Sequence, residues 1–130
     1  MRKILVLRGG ALGDFIVTLP ALALLRRRWP ESKIELVGNA KAAELGRREG
    51  LIDAVHSQHE ARWAPLYSSE ELAKDFQAWL EEFDLVVSYW PDPDEELSAR
   101  FPLRTGQIFR PGAAWPTRTP RRGALLRNPP

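Results

Sequence analysis

Cysteine is absent from the 130-residue sequence, which excludes disulfide bonds, thiolate metal sites and thiol catalysis. Long apolar runs are absent as well. The longest, residues 15–25, contains Thr18 and Pro20 and is about half the length of a membrane-spanning helix of ~20 residues. Near the start, Arg8 ends the apolar run 4–7, so this segment does not fit a secretory signal peptide. The sequence therefore predicts a cytoplasmic protein.

Acidic residues are missing from the C-terminal part of the chain. Residues 1–96 hold 12 basic and 17 acidic side chains, a net charge of −5, whereas residues 97–130 hold seven arginines and no acid. The pI of about 9.3 therefore originates in the basic end. This distribution does not indicate a basic fold that binds nucleic acid with its main body.

The remaining composition, with 44% hydrophobic and 28% charged residues, is typical of one globular domain. Residues 111–130 differ, because they contain five prolines, no acid and no hydrophobic period. We predict a folded body over residues 1–110 and an irregular or disordered Pro/Arg-rich tail over residues 111–130.

Short apolar segments alternate with helical ones along the body. Predicted strands cover residues 4–7, 33–37, 53–56, 85–87 and 107–109. Predicted helices cover residues 12–28, 40–48, 69–82 and a short stretch after Asp92. Pro20 should bend the first helix near Thr18, Asn39 should cap the second, and Gly50 should end it. Ser68 and Glu71 form a capping box for the third. This order predicts an α/β fold with a doubly wound, mostly parallel sheet.

The loop after the first strand is the most informative segment for function. Arg8-Gly9-Gly10-Ala11-Leu12-Gly13-Asp14 follows a strand and opens a helix, where α/β proteins bind ligands. Its glycine spacing matches neither a dinucleotide-binding loop nor a P-loop, and a carboxylate at the helix start repels a phosphate. Asp14 is therefore either a functional carboxylate at the mouth of the sheet or a first-turn residue that satisfies backbone N–H groups.

This loop, followed by Thr18-Leu19-Pro20-Ala21-Leu22, resembles the opening of the heptosyltransferase family, glycosyltransferase family 9. Later segments resemble the family in the expected order, at residues 34–38, 43–45, 52–55 and 83–87. The resemblance covers residues 1 to about 109, and its most specific part is the G-D…T-L-P-A block.

The resemblance implies the Rossmann-like, acceptor-side N-terminal lobe of a two-lobed, GT-B type glycosyltransferase. Such an enzyme transfers a heptose from ADP-heptose to the lipopolysaccharide inner core, with inversion and without a metal or other cofactor. By the motif, Asp14 is the catalytic general base. Substrate-binding candidates are Arg8, Gly9, Gly10, Gly13, Thr18, Asn39 and Trp90; Arg8 would contact an anionic group of the acceptor.

No second α/β lobe follows in the sequence, and in this family that lobe holds the nucleotide sugar. We therefore expect a truncated or frame-shifted product that cannot complete catalysis alone, or a lobe that pairs with a separately encoded partner. Arg26, Arg27 and Arg28 offer a peripheral contact to the inner face of the cytoplasmic membrane.

Three other features of the sequence bear on function. His56, His59 and Glu60 lack the spacing of a metal site, so no metal is predicted. Trp63 and Tyr67 either line an acceptor groove or close the sheet edge. The alternative function is a small α/β binding module whose tail is a basic arm for nucleic acid or acidic lipid. The arginines of this arm are Arg110, Arg118, Arg121, Arg122 and Arg127.

Overall fold

The computed structural model of the protein describes residues 1–10, 12–68 and 70–112. These residues form a five-stranded, all-parallel sheet with the strand order β3-β2-β1-β4-β5. The strands are β1 (Lys3–Leu7), β2 (Lys33–Gly38), β3 (Ala54–Ser57), β4 (Leu85–Ser88) and β5 (Ile108–Pro111). The helices are α1 (Leu12–Ile16), α2 (Leu19–Arg28), α3 (Ala40–Arg48) and α4 (Lys74–Glu81), with 3-10 turns at Ala61–Tyr67 and Ser98–Arg100. The predicted α/β fold class is confirmed.

Strand β1 lies at the centre of the sheet and is buried on both faces. Ile4 pairs with Ile34 of β2 and with Leu85 of β4, and the register continues along both neighbours. Ile4 and Val6 point into one hydrophobic cluster, whereas Leu5 and Leu7 point into the other. A strand with apolar side chains on both faces must be covered on both sides, which is why its sequence reads as a continuous apolar run.

The two clusters use different helices. The first contains Phe15 of α1 and Leu22 and Leu25 of α2. The second contains Phe76 and Leu80 of α4, together with Trp63 of the 3-10 turn Ala61–Tyr67. The sheet is therefore sandwiched between two layers, and its C-terminal edge is left for the loops.

The predicted bend in the first helix is confirmed as a break. Helix α1 ends at Ile16 and α2 begins at Leu19, with Pro20 in its first turn. Proline is well tolerated there, because the first N–H groups of a helix have no partner within it. The predicted cap of α3 is also present: the backbone N–H of Lys41 donates to Asn39 Oδ1 at 3.0 Å. Gly50 follows α3 with a φ of 75°, the conformation expected of a terminating glycine.

Two predicted helix starts are wrong. Helix α4 begins at Lys74 rather than after Ser68, because the Ser68 hydroxyl instead accepts from the backbone N–H of Glu70 at 3.2 Å within a turn. In the described part of the chain, no α-helix follows Asp92. Its carboxylate accepts from the N–H groups of Leu97 and Ser98, both at 2.9 Å, and so closes a loop that leads into the 3-10 turn Ser98–Arg100.

The C-terminal end of the described chain still belongs to the sheet. Pro111 pairs with Ser88, and Gly112 is buried against the ring of Tyr89. Residues 113–130, which hold most of the predicted tail, lie outside the described residues, so the division into body and tail stays a prediction. None of the helices in the described ranges is long and apolar enough to cross a bilayer.

Candidate functional site

The loop between β1 and α1 carries Asp14 to the C-terminal edge of the sheet. Its carboxylate is 58% exposed and lies 3.6 Å from Nη2 of Arg8. The Arg8 guanidinium also donates through Nε and Nη2 to the main-chain oxygen of Asp14, at 3.2 and 2.9 Å. Arg8 therefore fixes the backbone of Asp14 and neutralises part of its charge, while leaving the carboxylate open to solvent.

Gly10 lies in close contact with the Asp14 carboxylate. Its φ is 89°, and a Cβ placed on it would lie 2.3 Å from Asp14 Oδ2. A side chain at this position would therefore be strained and would displace the carboxylate. At Gly9, by contrast, a Cβ would meet the side-chain oxygen of Gln58 at 2.6 Å and Nε1 of Trp90 at 3.6 Å. Gly9 thus faces Gln58 and Trp90, and Gly10 faces Asp14.

The Arg8 side chain is held in place by its neighbours. Its guanidinium stacks over the Tyr89 ring at 5.1 Å, and its side chain is only 17% exposed. Such a position suits a residue that orients Asp14 more than one that reaches out to a distant anionic group. The Arg8–acceptor contact stays a prediction.

The other predicted site residues are distributed unevenly. Thr18 is buried, and its hydroxyl donates to the main-chain oxygen of Asp14 at 3.0 Å, so it positions the α1 backbone from inside the protein. Asn39 lies at the end of β2, where its side chain caps α3. A Cβ at position 13 would meet nothing within 4 Å, and the backbone there does not have a positive φ, so this position does not require glycine. The structure therefore places Gly9, Gly10 and Trp90 around the mouth with Asp14, and gives Thr18 and Asn39 structural contacts.

The groove beside Gly9 has a volume of about 450 Å³. Aromatic side chains form much of its wall, namely Trp63, Tyr67 and Trp90. Gln58, His59 and Glu60, which follow β3, supply its polar groups. It therefore combines apolar faces with a few hydrogen-bonding groups, the usual composition of a small-molecule site.

Hydrogen bonds fix the aromatic wall in place. Trp63 Nε1 donates to the Ser57 main-chain oxygen at 2.7 Å, and the Tyr67 hydroxyl donates to the Pro91 oxygen at 2.8 Å. Burial, and to a smaller extent the charge of Asp92, raise the pKa of the Tyr67 hydroxyl. Tyr67 therefore stays a neutral donor that ties the segment after β3 to the segment after β4.

Sequence reasoning left Trp63 and Tyr67 undecided and did not identify Gln58 at all. The structure places all three at the groove, but with different exposure. Tyr67 is 37% exposed and lines the groove, whereas Trp63 is 4% exposed and belongs to the second hydrophobic cluster, which favours the interpretation that it closes the sheet edge behind the groove. The signal in the sequence is the polar and aromatic segment immediately after a predicted strand. Assigning it to the groove requires the strand order, because the segment after β3 must reach across β2 to meet Gly9 and Trp90.

His56 lies beside a different group of charges. Its Nε2 is 2.7 Å from Oε1 of Glu35, a buried carboxylate that also lies 3.6 Å from Nζ of Lys3. His56 thus hydrogen-bonds across β2 and β3 to a carboxylate that is also paired with Lys3. Within the described ranges, no group of three or more His, Asp or Glu side chains is arranged to hold a metal ion.

Similarity to known structures was found at the level of fold. A glycosyl transferase family 9 protein from Veillonella parvula is 26% identical, with a TM-score of 0.51, and the match covers 75% of this chain and 28% of that chain. The heptosyltransferase WaaC from E. coli is 20% identical (TM-score 0.47), covering 83% of this chain and 34% of that one. TarJ from S. aureus is 14% identical (TM-score 0.38), covering 85% and 37%. No protein-family model and no curated protein sequence matches the chain.

The comparison rests on the Veillonella parvula protein, because the other two structures have lower sequence identity and lower TM-scores. The chain spans just over a quarter of that protein's length, so the comparison concerns one part of a larger molecule. The residues that resemble the family begin after β1, at the C-terminal edge of the sheet, and continue through α1 into α2. The chain therefore resembles glycosyltransferase family 9, as its opening motif predicts.

Proposed function

We propose that this chain is the acceptor-side lobe of a glycosyltransferase of family 9 and that Asp14 is its general base. One observation carries the proposal: an exposed carboxylate, oriented by Arg8, lies at the C-terminal end of the central strand beside a groove suited to a small molecule. Ligands of open α/β sheets bind at this edge.

The reaction needs one proton acceptor on this lobe. Asp14 accepts the proton of an acceptor hydroxyl as the hydroxyl oxygen forms a new bond to the anomeric carbon of a nucleotide-activated sugar. The bond between that carbon and the diphosphate breaks, and the nucleoside diphosphate leaves with the electron pair. Attack from the side opposite the leaving group inverts the anomeric centre. General base catalysis of this kind contributes about 10²–10⁴-fold in rate.

The resemblance supports a more specific form of the proposal. The donor is ADP-heptose, the acceptor is a sugar of the lipopolysaccharide inner core, and transfer takes place at the cytoplasmic side of the membrane. A second lobe holds the donor, and the described lobe does not complete the transfer by itself. The predicted contact of Arg26 to Arg28 with the anionic membrane surface falls to Arg27 and Arg28, which are exposed at the end of α2, because the Arg26 guanidinium donates to Asp53 at 2.7 Å and to the Ser32 main-chain oxygen at 2.7 Å.

The test replaces Asp14 with asparagine, which keeps the shape of the side chain but removes its basicity. With a donor-side lobe of a family 9 enzyme, ADP-heptose and a core acceptor supplied, the D14N variant should release ADP at least about 100-fold more slowly than the unmodified chain. D94N, a neutralised aspartate at another exposed position, is the matched control and should keep full activity.

Circular dichroism and thermal unfolding establish that both variants fold. Because the Asp14 side chain is exposed, its substitution should change the melting temperature little. Transfer by D14N at a rate close to that of D94N would exclude Asp14 as the base.

A further inference from the structure

We propose that the groove beside Asp14 binds an uncharged pyranose ring and discriminates against sugar acids. The binding site itself stands on the contacts described below. Its assignment to the acceptor rests on the proposed function. The inference reverses the expectation that Arg8 draws an anionic acceptor group into the site.

The aromatic wall offers flat apolar surface of the kind a sugar ring can cover. The rings of Tyr67 and Trp90 stack with centroids 6.4 Å apart and planes inclined by 27°. Trp63 meets Trp90 edge-on at 6.2 Å, which supports the wall from behind. Tyr67 is 37% exposed although it is large and apolar in its body. A pyranose has a face of C–H groups, and covering aromatic surface with it removes apolar area from water.

The charged groups that line the groove do not favour an anionic ligand. Among its lining residues in the described part of the chain, Glu60 is the carboxylate and no lysine or arginine is present. The two nearby arginines are directed elsewhere. Arg8 stacks on Tyr89 and contacts Asp14, and Arg62 lies over the Trp63 ring at 4.4 Å and 3.4 Å from Glu60. An anionic ligand would therefore meet the Glu60 carboxylate, which Arg62 pairs with at 3.4 Å, and no lysine or arginine directed into the groove.

Polar groups at the rim match sugar hydroxyls. Glu60 can accept hydrogen bonds, and the Gln58 side-chain amide can both donate and accept. The backbone N–H of His59 donates to Ser57 Oγ at 3.1 Å, which fixes the turn that presents these side chains. A neutral ring with several hydroxyls satisfies such mixed donors and acceptors without any net charge.

The groove adjoins Asp14 through two consecutive residues. Gly9 contacts the groove side, where Gln58 and Trp90 lie, and Gly10 contacts the carboxylate of Asp14. Consecutive Cα atoms are about 3.8 Å apart. A ring seated against Gly9 is therefore one residue along the backbone from the glycine that contacts Asp14, and the proposal places its reacting hydroxyl toward that carboxylate.

The test compares neutral sugars with their acids by saturation-transfer NMR on the full chain. The probes are the methyl pyranosides of glucose, galactose and mannose, each against its uronate, which differs only in a carboxylate at C6. Titrations are run at low ionic strength and pH 8, where histidine side chains ordinarily carry no charge. At least one neutral pyranoside should bind about fivefold more tightly than its uronate, and added salt should narrow the difference.

Three variants assign the effect to the groove. W90L should weaken neutral binding about tenfold, whereas the matched variant W90F, which keeps an aromatic face, should weaken it much less. E60Q should narrow the ratio of neutral-sugar to uronate affinity, mainly by tightening uronate binding about fivefold. Circular dichroism checks the fold of each variant.

The inference is overturned if no neutral pyranoside binds at tens of millimolar, if the uronates bind equally well, or if W90L binds like W90F. The proposed function has its own readout, because it depends on Asp14-dependent release of the nucleoside diphosphate. Selective binding without such release would leave the sugar site standing and overturn the transfer reaction. Release of the nucleoside diphosphate without selective binding of neutral pyranosides would leave the transfer reaction standing and overturn the sugar site.

Discussion

Gly10 precedes α1 and Gly13 lies within it, directly before Asp14, and the two glycines have opposite conformational requirements. Gly10 has a φ of 89° and lies against the Asp14 carboxylate, whereas a Cβ on Gly13 would meet nothing within 4 Å. Both glycines belong to the family motif, and the spacing of the motif does not distinguish them. Only the backbone conformation shows that one glycine is needed for the geometry of the site and the other is not.

We therefore expect different outcomes from the same substitution. G10A should lower the free energy of unfolding by about 1–3 kcal/mol, because alanine is strained at positive φ and its methyl group would displace Asp14. G13A should be neutral or stabilising by up to about 1 kcal/mol, since alanine favours the helix in which it lies. Urea denaturation measures both, and equal losses in the two variants would contradict the assigned backbone roles.

At the scale of the elements, the loops at the N-terminal edge of the sheet are joined by one carboxylate. Asp84 Oδ2 accepts from the backbone N–H groups of Arg2 and Lys3 at 2.7 and 3.2 Å. Its Oδ1 accepts from the guanidinium of Arg104 at 2.7 Å. Burial raises the pKa of Asp84, but these hydrogen bonds together outweigh it and hold the pKa below its usual range. Asp84 thus connects β1, β4 and the segment before β5.

The sign of the pH dependence follows from this lowered pKa. The stabilisation is fully present above about pH 4, where the carboxyl is ionised in the unfolded chain too, and it is lost as the pH falls through the lower folded-state pKa. D84N should reduce the free energy of unfolding by about 2 kcal/mol at pH 7. Below pH 4 the difference from the unmodified chain should shrink. A pH-independent difference, or an equal loss in D94N, would contradict the role of the Asp84 charge.

The order of the elements could be predicted because the local pattern of apolar residues indicates which segments are buried. The run Ile4 to Leu7 shows that β1 is covered on both faces, and Pro20 marks the break before α2. The start of α4 could not be predicted, since a serine at position 68 fits a helix N-cap as well as the turn that it forms in the structure. The groove could not be predicted either. Gln58, Tyr67 and Trp90 are far apart in sequence and meet only through strand order and register.

At the scale of the whole molecule, charge separates the two functional alternatives. Residues 1–112 hold 15 basic and 17 acidic side chains, a net charge of −2, whereas residues 113–130 hold four arginines and no acid. If the tail is a basic arm, its removal must abolish salt-dependent binding to nucleic acid or anionic vesicles. If the groove is the functional site, that removal should not affect sugar binding.

We expect a chain ending at Gly112 to bind neutral pyranosides as the full chain does. The cut leaves Pro111 paired in β5 and Gly112 against Tyr89, so the fold should stay intact. Fluorescence polarisation with labelled oligonucleotides, at low and high salt, measures the other activity. Tight, salt-sensitive binding by the full chain that the shortened chain lacks would favour the basic-arm alternative.

The central place of the first strand also determines when the site can exist during synthesis. Ile4 pairs with Leu85 across a separation of 81 residues, and Trp90 follows that partner strand. At about 5–20 residues per second, the ribosome needs roughly 4–15 s after adding Asp14 before Trp90 is added. Throughout that interval the nascent chain carries Asp14 without the groove beside it. Among the described residues, the candidate site is therefore begun with β1 and is completed only after β4 has been made.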